Sequence, residues 1–285
     1  MTETQISDDS QPRRSPILLP AVLAVVGLLA LVIGAWYVLS APGRHEQRFD
    51  EALAGDAPVY QYEVVATHDH DTGHFTEGLV IVDGLIYEGT GRTGQSILEV
   101  RDFPGDEVRQ RVELDDELFG EGVTVLGDRI YQLTYKAGEA FVYDRETLER
   151  VETFQYDGEG WGLTNDGESL IMSNGTATLT YRDPETFEVL REVEVHDESG
   201  TVSHLNELEW VDGLIYANVF PQDVIAVIDP EDGRVTAWLD LGDLHPEQAD
   251  SESVLNGIAT LPNGRLLVTG KNWDRMYELD VQAAE

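Results

Sequence analysis

One short pattern recurs five times along this chain, and it limits the possible folds more than any other feature. Each copy places a polar or aromatic residue at the start of an apolar run, which is followed by a glycine turn and a second apolar run. The opening segments of the five copies are His74–Leu79, Leu118–Thr124, Gly158–Leu163, His204–Leu208 and Val254–Ile258. Successive turn glycines are 43, 40, 46 and 51 residues apart, at Gly84, Gly127, Gly167, Gly213 and Gly264. An Asp or Asn stands beside each one, and such pairs supply the positive-φ residues of a tight β-hairpin. A repeat of about 40 to 50 residues with about four strands per unit predicts a β-propeller.

The five copies predict an all-β fold, a five-bladed β-propeller over residues 59–285. The last copy stops one strand short, at Arg275–Asp280. The segment Val59–Ala66, at the other end of the domain, can supply the missing outermost strand. Pairing these two ends would close the ring and remove the exposed edges of an open array.

The residues before the propeller predict a membrane anchor. No charged residue occurs between Pro16 and Pro42, and a run of about 20 apolar residues is enough to cross a bilayer. We therefore expect a short cytoplasmic tail at 1–15, a transmembrane signal anchor at 16–41 and a linker at 42–58, with the catalytic domain extracytoplasmic. The apolar run is longer than that of a cleaved signal peptide, although Val38–Ala41 would also serve as a cleavage site.

The charge balance excludes some partners. The chain has 55 acidic and 18 basic residues, a net charge of −37, which would repel nucleic acid and anionic membrane surfaces. We expect a membrane contact through the N-terminal helix only. Salt would screen the self-repulsion, so a halophilic source is our hypothesis. The absence of cysteine rules out disulfides and thiol chemistry.

The repeats place several polar and aromatic side chains at one mouth of the central channel. The first residue of each innermost strand lies there in a propeller, and these residues are Glu77, Glu121, Trp161, Asn206 and Asn256. The second strand of each hairpin ends at the same mouth, which adds Thr90, Tyr135, Asn174, Phe220 and Lys271. Apolar walls with a few polar groups are typical of a small-molecule site. Lys271 draws attention because the chain has only one other lysine.

Eight motifs, in order, resemble the plant and bacterial glutamine cyclotransferase family over about residues 60 to 280; they are Phe75–Leu79, Leu118–Gly122, Glu159–Thr164, Ser173–Thr176, Leu205–Glu209, Ala217–Phe220, Val254–Ala259 and Thr269–Trp273. The resemblance implies a five-bladed propeller that converts an N-terminal glutamine into pyroglutamate with loss of ammonia and without a metal. It also implies that Glu121 is the acid/base carboxylate, that Trp161 and Phe75 line the pocket, and that Asn206 and Lys271 are polar site residues. Three positions depart from the family pattern: Glu77 replaces Gln, and Tyr135 and Phe220 each replace Trp.

From the chemistry of cyclisation we predict that Glu121, Lys271 and Asn206 are catalytic. Glu121 would carry a proton from the attacking amine to the leaving ammonia, while Lys271 and Asn206 would stabilise the oxyanion or anchor the carboxamide. Glu77 would pair with the substrate ammonium or raise the pKa of Glu121 by repulsion. We assign substrate binding to six further residues at or beside the mouth, namely Phe75, Glu77, Tyr135, Trp161, Phe220 and Asn256. We expect no cofactor and no metal, peptides or proteins with an N-terminal glutamine as partners, and a monomer.

Two alternatives come from other functional classes. A metal-dependent propeller hydrolase would place calcium among Glu77, Glu121, Asn206 and Asn256, but a lysine beside the ion would be electrostatically costly. A propeller that only binds peptides would not need two carboxylates and a lysine at one mouth. The segment His68–His74 holds three histidines and two aspartates and could bind a metal; we favour a solvated acidic loop.

Overall fold

A computed structural model describes residues 49, 52–245 and 251–283 of the chain. The predicted tail (1–15) and anchor (16–41) lie outside these residues. Within the described part, no helix is long and apolar enough to cross a membrane. The described fold is all-β, as the repeat pattern predicted. Its first strand, β1 (Val59–Asp69), is followed by three four-stranded antiparallel sheets.

Each of these three sheets is built from strands consecutive in the chain. The first contains β2 (Thr76–Val82), β3 (Leu85–Thr90), β4 (Ile97–Asp102) and β5 (Val108–Glu113). The second contains β6 (Gly120–Leu126), β7 (Arg129–Thr134), β8 (Glu139–Asp144) and β9 (Arg150–Gln155). The third contains β10 (Leu163–Asn165), β11 (Leu170–Met172), β12 (Thr178–Arg182) and β13 (Val189–Glu194). A small hairpin follows, with β14 (His196–Asp197) and β15 (Gly200–Thr201).

The remaining strands form one eight-stranded sheet through β1. Its members from the chain's last third are β16 (Leu205–Val211), β17 (Leu214–Val219), β18 (Val224–Ile228), β19 (Val235–Asp240), β20 (Leu255–Thr260), β21 (Leu266–Gly270) and β22 (Arg275–Gln282). The strand order is β16-β17-β18-β19-β1-β22-β21-β20. β1 pairs antiparallel with β22 from Gln61 to Asp69 and meets β19 only at Val59 and Tyr60. The predicted pairing of the two chain ends is therefore confirmed.

The innermost strands of successive repeats contact one another in a closed cycle. β2 contacts β6, β6 contacts β10, β10 contacts β16, β16 contacts β20, and β20 returns to β2. Hydrophobic clusters fill the spaces between neighbouring sheets; one contains Tyr87 and Val100 from the first sheet and Val125 and Phe141 from the second. This arrangement is propeller-like, and it brings the starts of the innermost strands together.

Glycine allows the innermost strands to approach this closely. The amide of Gly122 donates to the carbonyl of Trp161 over 2.7 Å, and a Cβ on Gly122 would lie only 2.5 Å from the backbone nitrogen of Leu163. The hairpin turns also follow the sequence prediction: Asp83 and Gly84 have φ values of 53° and 78°, as a type I′ turn requires.

Candidate active site

A cavity of about 210 Å³ opens where the innermost strands begin. Eight of the nine predicted site residues line it, namely Phe75, Glu77, Glu121, Tyr135, Trp161, Asn206, Phe220 and Lys271. Phe119, Ser251 and Glu252 also line it and were not predicted. Phe119 had a sequence signal, because it precedes Glu121 by two residues as Phe75 precedes Glu77. Asn256 is the predicted residue outside the lining; it is fully buried and bonds to Glu77 instead.

Half-buried aromatic rings form a continuous wall around the cavity. Phe75 packs edge-on against Phe119 with centroids 6.2 Å apart, and Phe119 lies 5.7 Å from Tyr135. The series continues from Tyr135 to Trp161 at 6.5 Å and from Trp161 to Phe220 at 5.9 Å. Tilted and edge-to-face contacts at these distances are favourable aromatic geometries. The wall gives the cavity a mostly apolar lining around a few polar groups.

Lys271 completes this ring and forms an ion pair with Glu77. Its ammonium lies 4.6 Å from the centroid of Phe75 and 5.5 Å from that of Phe220. The same Nζ lies 2.7 Å from both carboxylate oxygens of Glu77. Asn256 Nδ2 donates to Glu77 Oε2 over 3.3 Å and to the Thr76 carbonyl over 2.9 Å. Both ends of the pair are buried, so water screens it weakly.

Glu121 is buried beside this pair, yet part of its carboxylate is unused. Its Oε2 atom accepts from no donor among the described residues, and the Glu77 and Glu121 carboxyl groups can bond to each other when one of them is protonated. Burial raises the pKa of Glu121 well above its ordinary value, and the nearby Glu77 carboxylate raises it further, while Lys271 opposes both effects. Burial also raises the pKa of Glu77, although Lys271 counteracts the rise. The two carboxyl groups thus share a site in which one can hold a proton at a pH where an exposed glutamate would have lost it.

Asn206 is held through its backbone while its side chain is available. Ser173 Oγ donates to the Asn206 carbonyl over 2.7 Å and accepts the Gly162 amide at the same distance. In the described part of the chain, the buried Asn206 Oδ1 atom also has no hydrogen-bond partner. Glu121 and Asn206 both line the cavity, and each therefore brings to it one buried oxygen that accepts from no donor among the described residues.

Comparison with known proteins identifies the family. The family model described as glutamine cyclotransferase matches residues 34–281. The chain belongs to the glutamine cyclotransferase family. A glutaminyl-peptide cyclotransferase of Arabidopsis thaliana is 35% identical over 264 residues, which cover 90% of this chain and 82% of the relative. The crystal structure of Myxococcus xanthus glutaminyl cyclase matches with a TM-score of 0.74 and 33% identity, covering 80% of this chain and all of that one.

In this member of the glutamine cyclotransferase family, Lys271 lines the cavity and the second lysine, Lys136, lies against the aromatic wall. Lys136 places its ammonium 4.5 Å from the centroid of Tyr135 and 3.3 Å from Glu159 Oε1. Glu159 in turn accepts the Trp161 indole N–H at Oε2 over 3.1 Å. The chain has only two lysines, and the argument that drew attention to Lys271 for this reason would also have drawn attention to Lys136. The charge network of Lys136 and Glu159 holds the Trp161 side of the aromatic wall.

The expectation of a solvated loop at His68–His74 is wrong for two of its histidines. Asp71 is exposed, but His70 and His74 are buried and both bond to Glu88, at 2.8 and 3.1 Å respectively. The three residues form the one histidine–carboxylate group among the described residues whose geometry could hold a metal ion. The local sequence did not indicate that the two rings are buried against Glu88, because histidine alternates with aspartate from His68 to Asp71 and no apolar residue stands among them.

Proposed function

We propose that this protein is a glutaminyl-peptide cyclotransferase, which converts an N-terminal glutamine into pyroglutamate and releases ammonia. The observation that carries the proposal is the buried Oε2 of Glu121, which accepts from no donor among the described residues, in a cavity lined by the aromatic wall and Lys271. Membership of the family and the printed names of the two relatives support it. A cavity of about 210 Å³ is below the roughly 300–1,000 Å³ of drug-sized sites and suits a single terminal residue.

Glu121 can exchange a proton with the substrate amine. Burial and the neighbouring Glu77 raise the pKa of Glu121 well above its ordinary value, so its carboxylate is a stronger base than an exposed one. When the amine binds, the two groups share one proton, either as carboxylate and ammonium or as carboxylic acid and free amine. Because the raised pKa favours the second form, the nucleophilic amine becomes available without an external base.

Ring closure then requires two proton transfers, and Glu121 enters it as the carboxylic acid beside the free amine. The amine nitrogen bonds to the side-chain carboxamide carbon and keeps both of its protons in the tetrahedral intermediate. As the intermediate collapses, the carbon–nitrogen bond of the carboxamide breaks and Glu121 gives its proton to the departing nitrogen, which leaves as ammonia. The Glu121 carboxylate takes the extra proton from the ring nitrogen, so water is not consumed and Glu121 is again the carboxylic acid.

Lys271 and Asn206 supply the polar contacts for the carboxamide. An ammonium has three donors, and two point at the oxygens of Glu77, which leaves one for the developing oxyanion. The free Oδ1 of Asn206 suits the N–H₂ of the same carboxamide, an acceptor role where the sequence had suggested a donor. A donor aimed at the oxyanion in a water-poor site is worth about 10²- to 10³-fold in rate.

Ammonia release from a Gln-initiated dipeptide tests this function. We expect release by the purified chain in molar salt with EDTA present, and a loss of about 10²- to 10⁴-fold in Glu121→Gln. Glu117→Gln, an exposed carboxylate on the loop before β6, is the matched control and should retain activity. Activity that requires calcium would favour the metal hydrolase, and a folded protein inactive over roughly pH 6 to 10 would favour the peptide-binding alternative.

The same proposal includes the architecture and the cellular location. We propose five blades, supported by the closed cycle of β2, β6, β10, β16 and β20. We further propose a monomer that is anchored by residues 16–41 with the propeller extracytoplasmic, supported by the uncharged run in the sequence. Protease accessibility of the propeller in intact cells tests the topology, since protection of the domain would place it in the cytoplasm.

A further inference from the structure

Glu88 is the centre of a buried ionic network that the proposed reaction does not use. It lies on β3 and its side chain is fully buried. Its Oε1 accepts from His70 Nε2 and from Thr76 Oγ1, both at 2.8 Å. Its Oε2 accepts from His74 Nδ1 and from Arg101, both at 3.1 Å. Burial alone would raise the pKa of Glu88, but His70 and His74 outweigh it and hold that pKa well below its usual range.

The two histidines connect Glu88 to the turn that carries Lys271. His70 Nδ1 donates to the Trp273 carbonyl over 2.9 Å, and the His70 amide donates to the Asp274 carbonyl over 3.0 Å. The Asn272 amide donates to the His74 carbonyl over 2.8 Å. Asn272 has a φ of 59°, a conformation that costs free energy in a residue with a side chain. Bonds from residues 70–74 therefore hold a strained turn directly after Lys271.

The same carboxylate also holds the strand start that carries Phe75 and Glu77. Phe75 lies between His74 and Thr76, and both of these neighbours bond to Glu88. The carbonyl of Thr76 accepts from Asn256, which also bonds to Glu77. Glu88 thus bonds to residues that hold both halves of the Glu77–Lys271 ion pair, and it is not among the residues that line the cavity.

A metal ion does not fit this group as it is bonded. Both ring nitrogens of His70 already have partners, the Trp273 carbonyl at 2.9 Å and the Glu88 carboxylate at 2.8 Å. Arg101 bonds to Glu88 and its Nε lies 3.7 Å from Glu99, which places a positive charge where a cation would have to bind. Asp71 also lies near the network, 3.9 Å from His74 Nε2.

We propose that Glu88 is a positioning residue, which through His70, His74 and Thr76 fixes Lys271 and Glu77 against each other beside Glu121. The inference rests on the proposed function only for its activity readout. Loss of the Glu88 charge would loosen the turn after Lys271 and weaken the ion pair. Glu77 would then act on Glu121 with less compensation, and Glu121 would release its proton at higher pH.

The test compares Glu88→Gln with Glu99→Gln in the full chain. Glu99 pairs with Glu88 in register across β3 and β4, is almost as buried, bonds to Arg111 and lies 3.7 Å from Arg101 Nε. Its hydrogen bonds within the described residues do not reach His70, His74, Thr76 or the turn after Lys271. We expect Glu88→Gln to lower kcat/KM by about 10- to 100-fold, because small misplacements of reacting groups have effects of this size. We also expect the ionisation of Glu121 to move to higher pH. This ionisation is measured from the infrared carbonyl band of the protonated carboxyl group, which is identified as the band that Glu121→Gln removes. Glu99→Gln should leave both readouts unchanged even if it lowers the melting temperature.

Each outcome decides the inference. An unshifted Glu121 band in folded Glu88→Gln would overturn it, as would equal shifts in Glu88→Gln and Glu99→Gln. If Glu88→Gln does not fold, Thr76→Val removes a single bond to Glu88 with little change in shape, and it should shift the band upward by a smaller amount; no shift would overturn the inference. The infrared titration needs no turnover, so a protein without cyclotransferase activity would still test Glu88.

Discussion

Replacing Lys271 by methionine would leave the Glu77 carboxylate buried without its cation. The aliphatic part of the side chain is kept, so the main change is the loss of an ammonium that lies 2.7 Å from both oxygens of Glu77. The exposed fractions of the two side chains are 7% and 2%. Water can therefore replace the ammonium only poorly, and Glu77 must either remain charged at a high cost or take up a proton.

The size of the loss follows from the cheaper of these two responses. Leaving one partner of a buried pair charged costs about 3 to 5 kcal/mol. Protonating a glutamate whose unfolded pKa is about 4.3 costs about 1.4 kcal/mol for each pH unit above that value. We therefore expect Lys271→Met to lower the free energy of unfolding by about 1 kcal/mol at pH 5 and by about 3 to 4 kcal/mol at pH 7. The pH dependence has this sign because the pKa of Glu77 in the folded variant is raised above its unfolded value. The folded state therefore loses stability relative to the unfolded state as the pH rises.

Urea denaturation in constant molar salt measures this loss, with Glu77→Gln/Lys271→Met as the matched control. The double variant has no buried charge at this position, so it should lie within about 1 kcal/mol of the wild type and show no added pH dependence. A Lys271→Met loss that is equal at pH 5 and pH 7 would show that Glu77 is not the group left unpaired. A loss below about 1 kcal/mol at pH 7 would show that water reaches the pair, and the reasoning from burial would fail.

Three further predictions concern pH and salt. Glu77→Gln removes the repulsion that raises the pKa of Glu121 and leaves Lys271 unpaired, so the Glu121 ionisation seen in the pH profile of kcat/KM should move to lower pH; an unmoved profile would contradict this. Burial raises the pKa of Glu209 to about 7, so the wild type should lose up to about 3 to 4 kcal/mol between about pH 4 and 7. Urea titrations of Glu209→Gln should lack this slope, and an identical slope would assign it elsewhere. With a net charge of −37, the melting temperature should rise with salt between about 0.1 and 3 M, and a constant value would count against a halophilic source.

The repeat pattern predicted the strands well because it depends on local chemistry. A turn such as Asp212–Gly213 requires two positive φ values, which the structure shows at 49° and 87°. The pairing of the chain ends could be predicted for a different reason, since strand counting left one sheet short and one strand unused. β1 and β22 meet over nearly their whole lengths.

The site could be predicted where each residue occupies an equivalent place in the repeat. Glu77, Glu121 and Asn206 begin equivalent innermost strands, so one rule found all three. Partnerships between side chains were harder to foresee, because the bond from His70 to Trp273 joins residues 203 positions apart. The Glu77–Lys271 pair spans 194 positions, and for this reason the sequence assigned both side chains to the substrate instead of to each other.

The high proton affinity of Glu121 follows from the repeat itself. A glycine follows the mouth residue in every copy of the repeat except the one that begins at His204, where Glu207 follows Asn206. Glu207 is fully buried and accepts hydrogen bonds from the backbone amides of Leu79 at 3.3 Å and Ile258 at 2.8 Å. Burial raises the pKa of Glu207 well above its ordinary value, as it does for Glu77 and Glu121. Among the residues that line the cavity, Lys271 is the one cation, and it is already committed to Glu77. Because buried carboxylates outnumber the cations that could neutralise them, protons must take up the difference. Of these buried carboxyl groups, Glu121 lines the cavity and has an oxygen that accepts from no donor among the described residues, and we propose that its proton is the one that a substrate can exchange.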